Sequence, residues 1–303
     1  MSRDDLRDLV RDFTNRQLLA AGWRLGPRLP VGLQRRIVRL GSAVAVRHDG
    51  SHVTNLRHNL GVATSGPVST ALLRAAVASY LRNYLETLAL PGWSTQDVVS
   101  RVRTRGEDRL RAAVATRGAV VALPHSANWD LAGAWACLTG MPVVSVAERL
   151  DDAEFAAFLD YRRQLGMEIH SHRDPGLIGT LVEAVRAGKV VCLMADRDLT
   201  RGAGVTVRWA GRDITVPAGP ALVARLSGAA LFPAGCHYTG QPGTGGMVIT
   251  LAEEVTHRPG RDGLVAMCQE VTDHFAARIA QHPQDWHMLQ PFFAADGPAK
   301  ADR

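Results

Sequence analysis

At 303 residues, 46% of them hydrophobic, the chain is long enough to bury one large core, and its four cysteines are too scattered for a disulfide framework or a zinc site. Its formal charge of +6 is carried almost wholly by arginine and favours an anionic partner, such as a membrane surface or a phosphorylated substrate. No zinc spacing, aromatic-flanked basic sheet or helix-turn-helix pattern accompanies that charge, so nucleic acid is not an expected partner; nor is there an uncharged apolar run of about 18 residues to span a bilayer.

Residues 1–110 read as helical. Leu6, Leu9, Val10 and Phe13 recur at helical spacing, and Leu18, Leu19 and Trp23 continue an apolar face beside Arg11, Arg16 and Arg24. Pro27 and Pro30 interrupt the pattern, which resumes with Leu33, Ile37, Val38 and Leu40 among Arg35, Arg36 and Arg39. Basic amphipathic segments of this kind fit a helix lying in a membrane interface, or one packed on the domain with its arginines in water. The charged opening MSRDDLRDLVRD has no secretory leader pattern. Cys137, Cys192, Cys236 and Cys268, all in apolar surroundings, are expected as small buried hydrophobes of a reducing compartment.

From Ala119 the rhythm changes to alternating strands and helices. Strands are expected at Ala119–Leu123, Val143–Ala147, Glu168–His170, Val190–Ala195, Val205–Trp209, Ala230–His237 and Met247–Leu251. Helices are expected between and after them at Leu131–Leu138, Ala153–Leu165, Leu177–Ala187, Ala218–Leu226 and Leu264–Gln281. Gly202 to Gly204 and Gln241 to Gly246 read as turns, and Gly297 to Arg303 as a polar tail. The expectation is an α/β fold, a mostly parallel or mixed sheet covered by helices. Three regions follow: a helical, interfacial 1–110, an α/β core over 111–291, and a flexible 292–303.

The most informative stretch is GAVVALPHSANWDLAGAWACLTG, residues 118–140. His125 stands where a strand end meets a helix start, the usual place for chemistry in an open α/β sheet. Asp130, five residues on, is placed to reach back, hold one imidazole tautomer and support its charge. A base and an orienter are present, with no serine nucleophile beside them. The spacing alone is weak, because 11 histidines and 29 acids generate such pairs by chance. A second pair, His257 and Asp262, lies in a basic Pro/Gly link and reads as a solvated loop. Glu148 and Arg149 follow the strand Val143–Ala147, Arg162 and Arg163 lie near a helix end, and Asp196, Arg197 and Asp198 close the strand VVCLMA. His125, Glu148 and Asp196 thus fall at carboxyl ends of strands, where ligands bind in such sheets.

PHSANWDLAGAW resembles the His-x4-Asp block of the glycerolipid and lysophospholipid acyltransferase superfamily. It looks most like the branch that holds the lipid A late acyltransferases and the mannoside acyltransferases of mycobacteria. Further matches run in order along the chain: NLRHNLGVA, ASYLRNYLETLALP, SVAERL, FLDYRRQLGMEI, VVCLMADRDLTRGAGVTVRWAG, PAGPALVARLSGAAL and HPQDWHMLQP. The resemblance implies a peripheral enzyme of the cytoplasmic leaflet that moves a long, palmitoyl-like chain from acyl-CoA to a mannose hydroxyl of phosphatidylinositol mannoside or a related glycolipid. It implies His125 as general base, Asp130 as its orienter, and Glu148, Asp196 and Arg162, or Arg163 beside it, at active-site positions. A glutamate is expected where Asp196 stands. Asn128, Arg149, Arg163, Arg197 and Asp198 are candidate substrate-binding groups beside them. No metal or bound cofactor is expected, because a thioester is already activated and needs only a base and oxyanion donors. A thioesterase using the same pair on water, and a non-catalytic lipid-binding scaffold, are the competing readings.

Overall fold

The computed structural model describes residues 26–148, 159–198 and 204–293. The expected helical segment from Leu6 to Trp23, the start of the expected helix Ala153–Leu165, Arg149 and the polar tail lie outside the described residues.

Nine strands are described: β1 (Val102–Arg105), β2 (Ala119–Leu123), β3 (Val143–Ala147), β4 (Glu168–Ser171), β5 (Val190–Met194), β6 (Val205–Trp209), β7 (Arg212–Val216), β8 (Ala230–Thr239) and β9 (Gly246–Leu251). Seven form one sheet in the order β1, β9, β8, β2, β5, β3, β4, and β6 pairs with β7 as a separate hairpin. The run from β8 to β4 is parallel. β9 turns back antiparallel to β8 and carries β1 parallel to itself, which makes the sheet mixed. The expected strands therefore all form. Two more were not expected: VRTR at Val102–Arg105, inside the span read as helical, and RDITV at Arg212–Val216. Both are short, carry charge and bury only alternate residues, so neither shows as an apolar run.

β2 lies at the centre because it has no polar side to offer water; all five of its residues are buried. Its side chains alternate between two cores. Val120 and Ala122 join Val191, Leu193 and Leu231 on one face, whereas Val121 and Leu123 join Val143, Val190 and Phe232 on the other. Gly118 leads into β2 at φ +83°, and any β-carbon there would stand 2.5 Å from the Val185 side chain.

The N-terminal helices α1 (Val31–His48), α2 (Ser51–Ala63) and α3 (Thr70–Ala89) cover the first face. Ser69 caps α3 by accepting the Leu72 N–H at 3.1 Å. Leu56, Leu60 and Leu73 enter the same core as Val120 and Val191. α1 differs from its neighbours: Gln34, Val38 and Ser42 are buried, while Leu33, Ile37, Leu40 and Val44 form an exposed apolar stripe. The opposite face of the sheet is covered by α4 (Thr95–Arg101), α5 (Glu107–Thr116) and α6 (Trp129–Leu138). α7 (Leu177–Arg186), α8 (Gly219–Ser227) and α9 (Gly260–Gln281) complete the first face.

Strand register brings the candidate groups together. Leu123 at the end of β2 lies opposite Met194 at the end of β5, and the Ala195 N–H donates to the Leu123 carbonyl at 2.8 Å. The two strands therefore stop at one level. Two residues later on each chain stand His125 and Asp196.

Candidate active site

His125 Nδ1 lies 2.6 Å from Asp196 Oδ1, and the His125 backbone N–H donates to Asp196 Oδ2 at 2.9 Å. Trp286 Nε1 also donates to Oδ2, at 3.0 Å. An ionised carboxylate only accepts, so Nδ1 carries the proton and the lone pair is left on Nε2. The Asp196 side chain is fully buried, while that of His125 keeps 24% of its surface exposed. Burial works against the ionised carboxyl, but the imidazole beside it and the hydrogen bonds from His125 and Trp286 outweigh burial and hold Asp196 below the usual carboxylate range.

This corrects the expectation for Asp130. The acid that holds His125 is Asp196, and its direct 2.6 Å contact shows that the chain one methylene shorter than glutamate reaches without a bridging water. Asp130 instead accepts from Arg162 Nε at 2.6 Å, in a pair whose side chains are only 5% and 9% exposed. The reason lies in the turn. Ser126 N–H bonds to the Pro124 carbonyl at 2.7 Å, Ala127 takes a left-handed φ of 50°, and Asn128 Oδ1 caps α6 by accepting the Leu131 N–H at 2.9 Å. The bend presents Asp130 to the α6 side of the sheet, into an apolar pocket rather than toward Nδ1.

That pocket runs beneath β2, β5 and β3. Leu123, Val121, Met194, Cys192 and Val143 line its floor along the sheet, and Trp129, Asp130 and Arg162 lie at its polar end. The Trp129 ring also meets His125 edge-on, with centroids 5.5 Å apart, so one side chain touches both imidazole and pocket.

The remaining expected residues divide. Arg162 lines the pocket and pairs with Asp130, whereas Arg163 is on the surface, 3.3 Å from Asp160. Glu148 is half exposed and lies 3.5 Å from Arg197. Asn128 is buried, and its Nδ2 has no hydrogen-bond partner. Asp198 stands against Gly204, whose β-carbon would lie 2.6 Å from Asp198 Oδ2. Arg149 is outside the described residues. His257 lies in a loop, but the pair is not a solvated link: Asp262 stands in the first turn of α9, and His257 Nε2 is buried.

The C-terminal segment supplies groups that no spacing pattern singled out. Ser126 bridges to Trp286, Ala127 N–H donates to the Asp285 carbonyl at 2.9 Å, and His287 N–H donates to the His125 carbonyl at 2.8 Å. Trp286 is fully buried, stacked on Trp209 at 5.3 Å and boxed by Phe292 and Phe293. Asn59 on α2 fastens the same segment, donating to the carbonyls of Met288 and Gln290 at 2.9 and 2.8 Å. Ser79 Oγ donates to Asp285 Oδ1 at 2.7 Å, so it accepts from His287 Nε2 at 3.0 Å. Burial, aided by His125, pushes the His287 imidazole down to about 3. The block HPQDWHMLQP is the one signal that marked this segment, by resemblance and without assigning roles.

Residues 4–294 match the model of the bacterial lipid A biosynthesis acyltransferase family. A phosphatidylinositol mannoside acyltransferase of Mycolicibacterium smegmatis is 38% identical over 286 residues, 91% of this chain and 90% of that protein. The protein of the same name from Mycobacterium tuberculosis H37Rv is 38% identical over 287 residues, 91% of this chain and 88% of its own.

Proposed function

We propose that this chain, which belongs to the bacterial lipid A biosynthesis acyltransferase family, moves a long acyl group from acyl-CoA to a mannose hydroxyl of a phosphatidylinositol mannoside. The observation that carries the reading is the His125–Asp196 contact beside an apolar pocket. Nε2 takes the proton of the acceptor hydroxyl as its oxygen attacks the thioester carbonyl carbon. The tetrahedral intermediate collapses by breaking the carbon–sulfur bond, and the imidazolium returns the proton to the departing thiolate. Because the thioester is itself activated, a single displacement suffices and no covalent enzyme intermediate is formed. Donors for the oxyanion are at hand in Arg162 and in the N–H groups of Trp129 and Asp130 in the first turn of α6. The pocket under β2 and β5 receives the acyl chain, with its carbonyl held at the Trp129 end. The acceptor assignment rests on the names of the two mycobacterial relatives.

Mass spectrometry of purified protein with palmitoyl-CoA and mycobacterial glycolipids tests this. A palmitate-sized gain on phosphatidylinositol mannoside is expected, falling about 10³- to 10⁴-fold in His125→Ala. Free palmitate without glycolipid product would make the protein a hydrolase.

We further propose that the protein works as a peripheral protein on the cytoplasmic face of the plasma membrane. The exposed stripe Leu33, Ile37, Leu40 and Val44 on α1 runs beside Arg36 and Arg39, the composition of an interfacial helix facing anionic lipid. Among the described residues no helix is long and apolar enough to cross a membrane. Burying one leucine contributes about 1.5–3 kcal/mol, so Leu40→Asp should weaken partition onto phosphatidylinositol vesicles about tenfold or more. Unchanged co-sedimentation would remove α1 as the docking element.

A further inference from the structure

A second polar cluster lies near the turn that carries His125, on the face of the sheet away from the apolar pocket. His237 on β8 and His282, the residue after α9, stack ring on ring with centroids 3.7 Å apart and planes 3° from parallel. Arg278 Nη2 stands 3.3 Å from His237 Nδ1. Arg105 at the end of β1 completes the group, and its charge acts on His237, His282 and Arg278 alike.

Among the described residues, neither Arg105 nor Arg278 has the carboxylate partner that several other arginines have. Arg57, Arg82, Arg109, Arg111, Arg117 and Arg162 are each paired with a carboxylate. His237 instead feels burial, then His282, Arg278 and Arg105, all disfavouring its cation, and it is pushed down to about 4. His282 is lowered by burial, Arg278 and Arg105. Two guanidinium groups and two imidazoles, brought together with no carboxylate paired to them among the described residues, are complementary to an anion, and guanidinium matches phosphate oxygens in particular.

The placement suits a substrate rather than a stray ion. Arg105 lies opposite Thr250, and Thr250 opposite Gly235. Next to Gly235, the Cys236 N–H donates to Ser126 Oγ at 3.3 Å, which puts the cluster level with the turn that carries His125. With strands about 5 Å apart, His237 is one spacing from β2 and Arg105 about three. Cys236 belongs to the core layer that holds the pocket, so His237, the next residue, faces the other way. An acyl chain would leave the reacting carbonyl on one face of the sheet, and the polar remainder of either substrate on the other.

We propose that Arg105, Arg278, His237 and His282 form a site for a phosphate group of a substrate seated at His125. The proposal rests on the acyl-transfer reading only for whose phosphate is bound. The diphosphate and 3′-phosphate of coenzyme A and the phosphodiester of an inositol glycolipid share the chemistry.

Calorimetric titration of the full chain with coenzyme A and with glycerophosphoinositol, at constant ionic strength, decides between them. At least one of the two should bind and weaken about tenfold or more in both Arg105→Gln and His282→Gln. Weakening of coenzyme A alone assigns the site to the donor, and of glycerophosphoinositol alone to the acceptor. Arg105 is exposed, so Arg105→Gln should keep the wild-type melting temperature. The His125→Ala variant should bind whichever ligand the wild type binds, with similar affinity, which separates failure of this site from failure of the proposed catalysis. Binding by neither ligand, or equal affinities in wild type and both variants, would overturn the proposal.

Discussion

Asp130 and Asp196 are both buried carboxylates, and each lies 2.6 Å from a nitrogen of a basic side chain. Their partners make them different devices. The Asp130 pair joins a carboxylate to a guanidinium, a fixed cation, and holds α6 to the helical residues 159–164 at the pocket's polar end. Asp196 instead faces an imidazole, the kind of side chain that can take up and release a proton during a reaction. Proximity to a cation is common to both; only the second arrangement can follow a proton.

The largest expected effect separates the two acids directly. In Asp196→Asn the amide oxygen takes the N–H groups of Trp286 and the His125 backbone, which leaves the amide NH₂ facing Nδ1. His125 is then driven to the tautomer with its proton on Nε2, and turnover should drop by about 10²- to 10⁴-fold with little change in the fold. A turnover within a few-fold of wild type would show that Asp196 does not set the tautomer. Next in size is Arg162→Met, which strands a buried carboxylate and should cost about 3–5 kcal/mol in urea unfolding. The double variant Asp130→Leu/Arg162→Met should recover most of that loss; if it does not, the pair contributes more than mutual neutralisation.

The smallest effect comes from a third buried group near both His125 and Asp196. His287 is held neutral, at about 3 against an unfolded value of 6.5. Below pH 6.5 the unfolded chain takes up a proton there that the folded chain refuses. The stability due to neutral His287 is therefore whole above 6.5 and is lost as pH falls toward 3, at about 1.4 kcal/mol per pH unit. His287→Gln should flatten the loss of stability between pH 6 and 4 by that slope. An identical slope in the variant would mean that His287 titrates normally in the fold.

Much of the architecture was legible because burial in a parallel sheet writes itself as local apolar runs. The bounds of β2, β3 and β6 agree with the apolar runs that mark them. α6 begins two residues ahead of the expected start at Leu131, at Trp129, because Asn128 supplies the cap. β1 and β7 escaped because an edge strand and a hairpin strand bury only alternate residues, and four or five residues are too few for a period to show. In the candidate site, His125 was legible from its strand-to-helix position. Arg162 over Arg163 was decided only by which side of the helical turn faces Asp130.

What the sequence by itself determined is the α/β layout, the placement of His125 at the end of its central strand, and the family resemblance carried by its motifs. The partner of His125 was decided elsewhere. Asp196 is 71 residues away from it, and the indole of Trp286 is 90 residues away from Asp196. These groups meet because β2 and β5 pair in one register, and because Asn59 and the Trp209 ring hold the C-terminal segment across the strand ends. The acid nearest in sequence, Asp130, is carried onto the pocket side by the left-handed turn at Ala127 and the Asn128 cap. Spacing along the chain measures covalent reach. Hydrogen bonding depends on direction as well, and side-chain direction at a strand end is set by the pairing and caps of the folded chain.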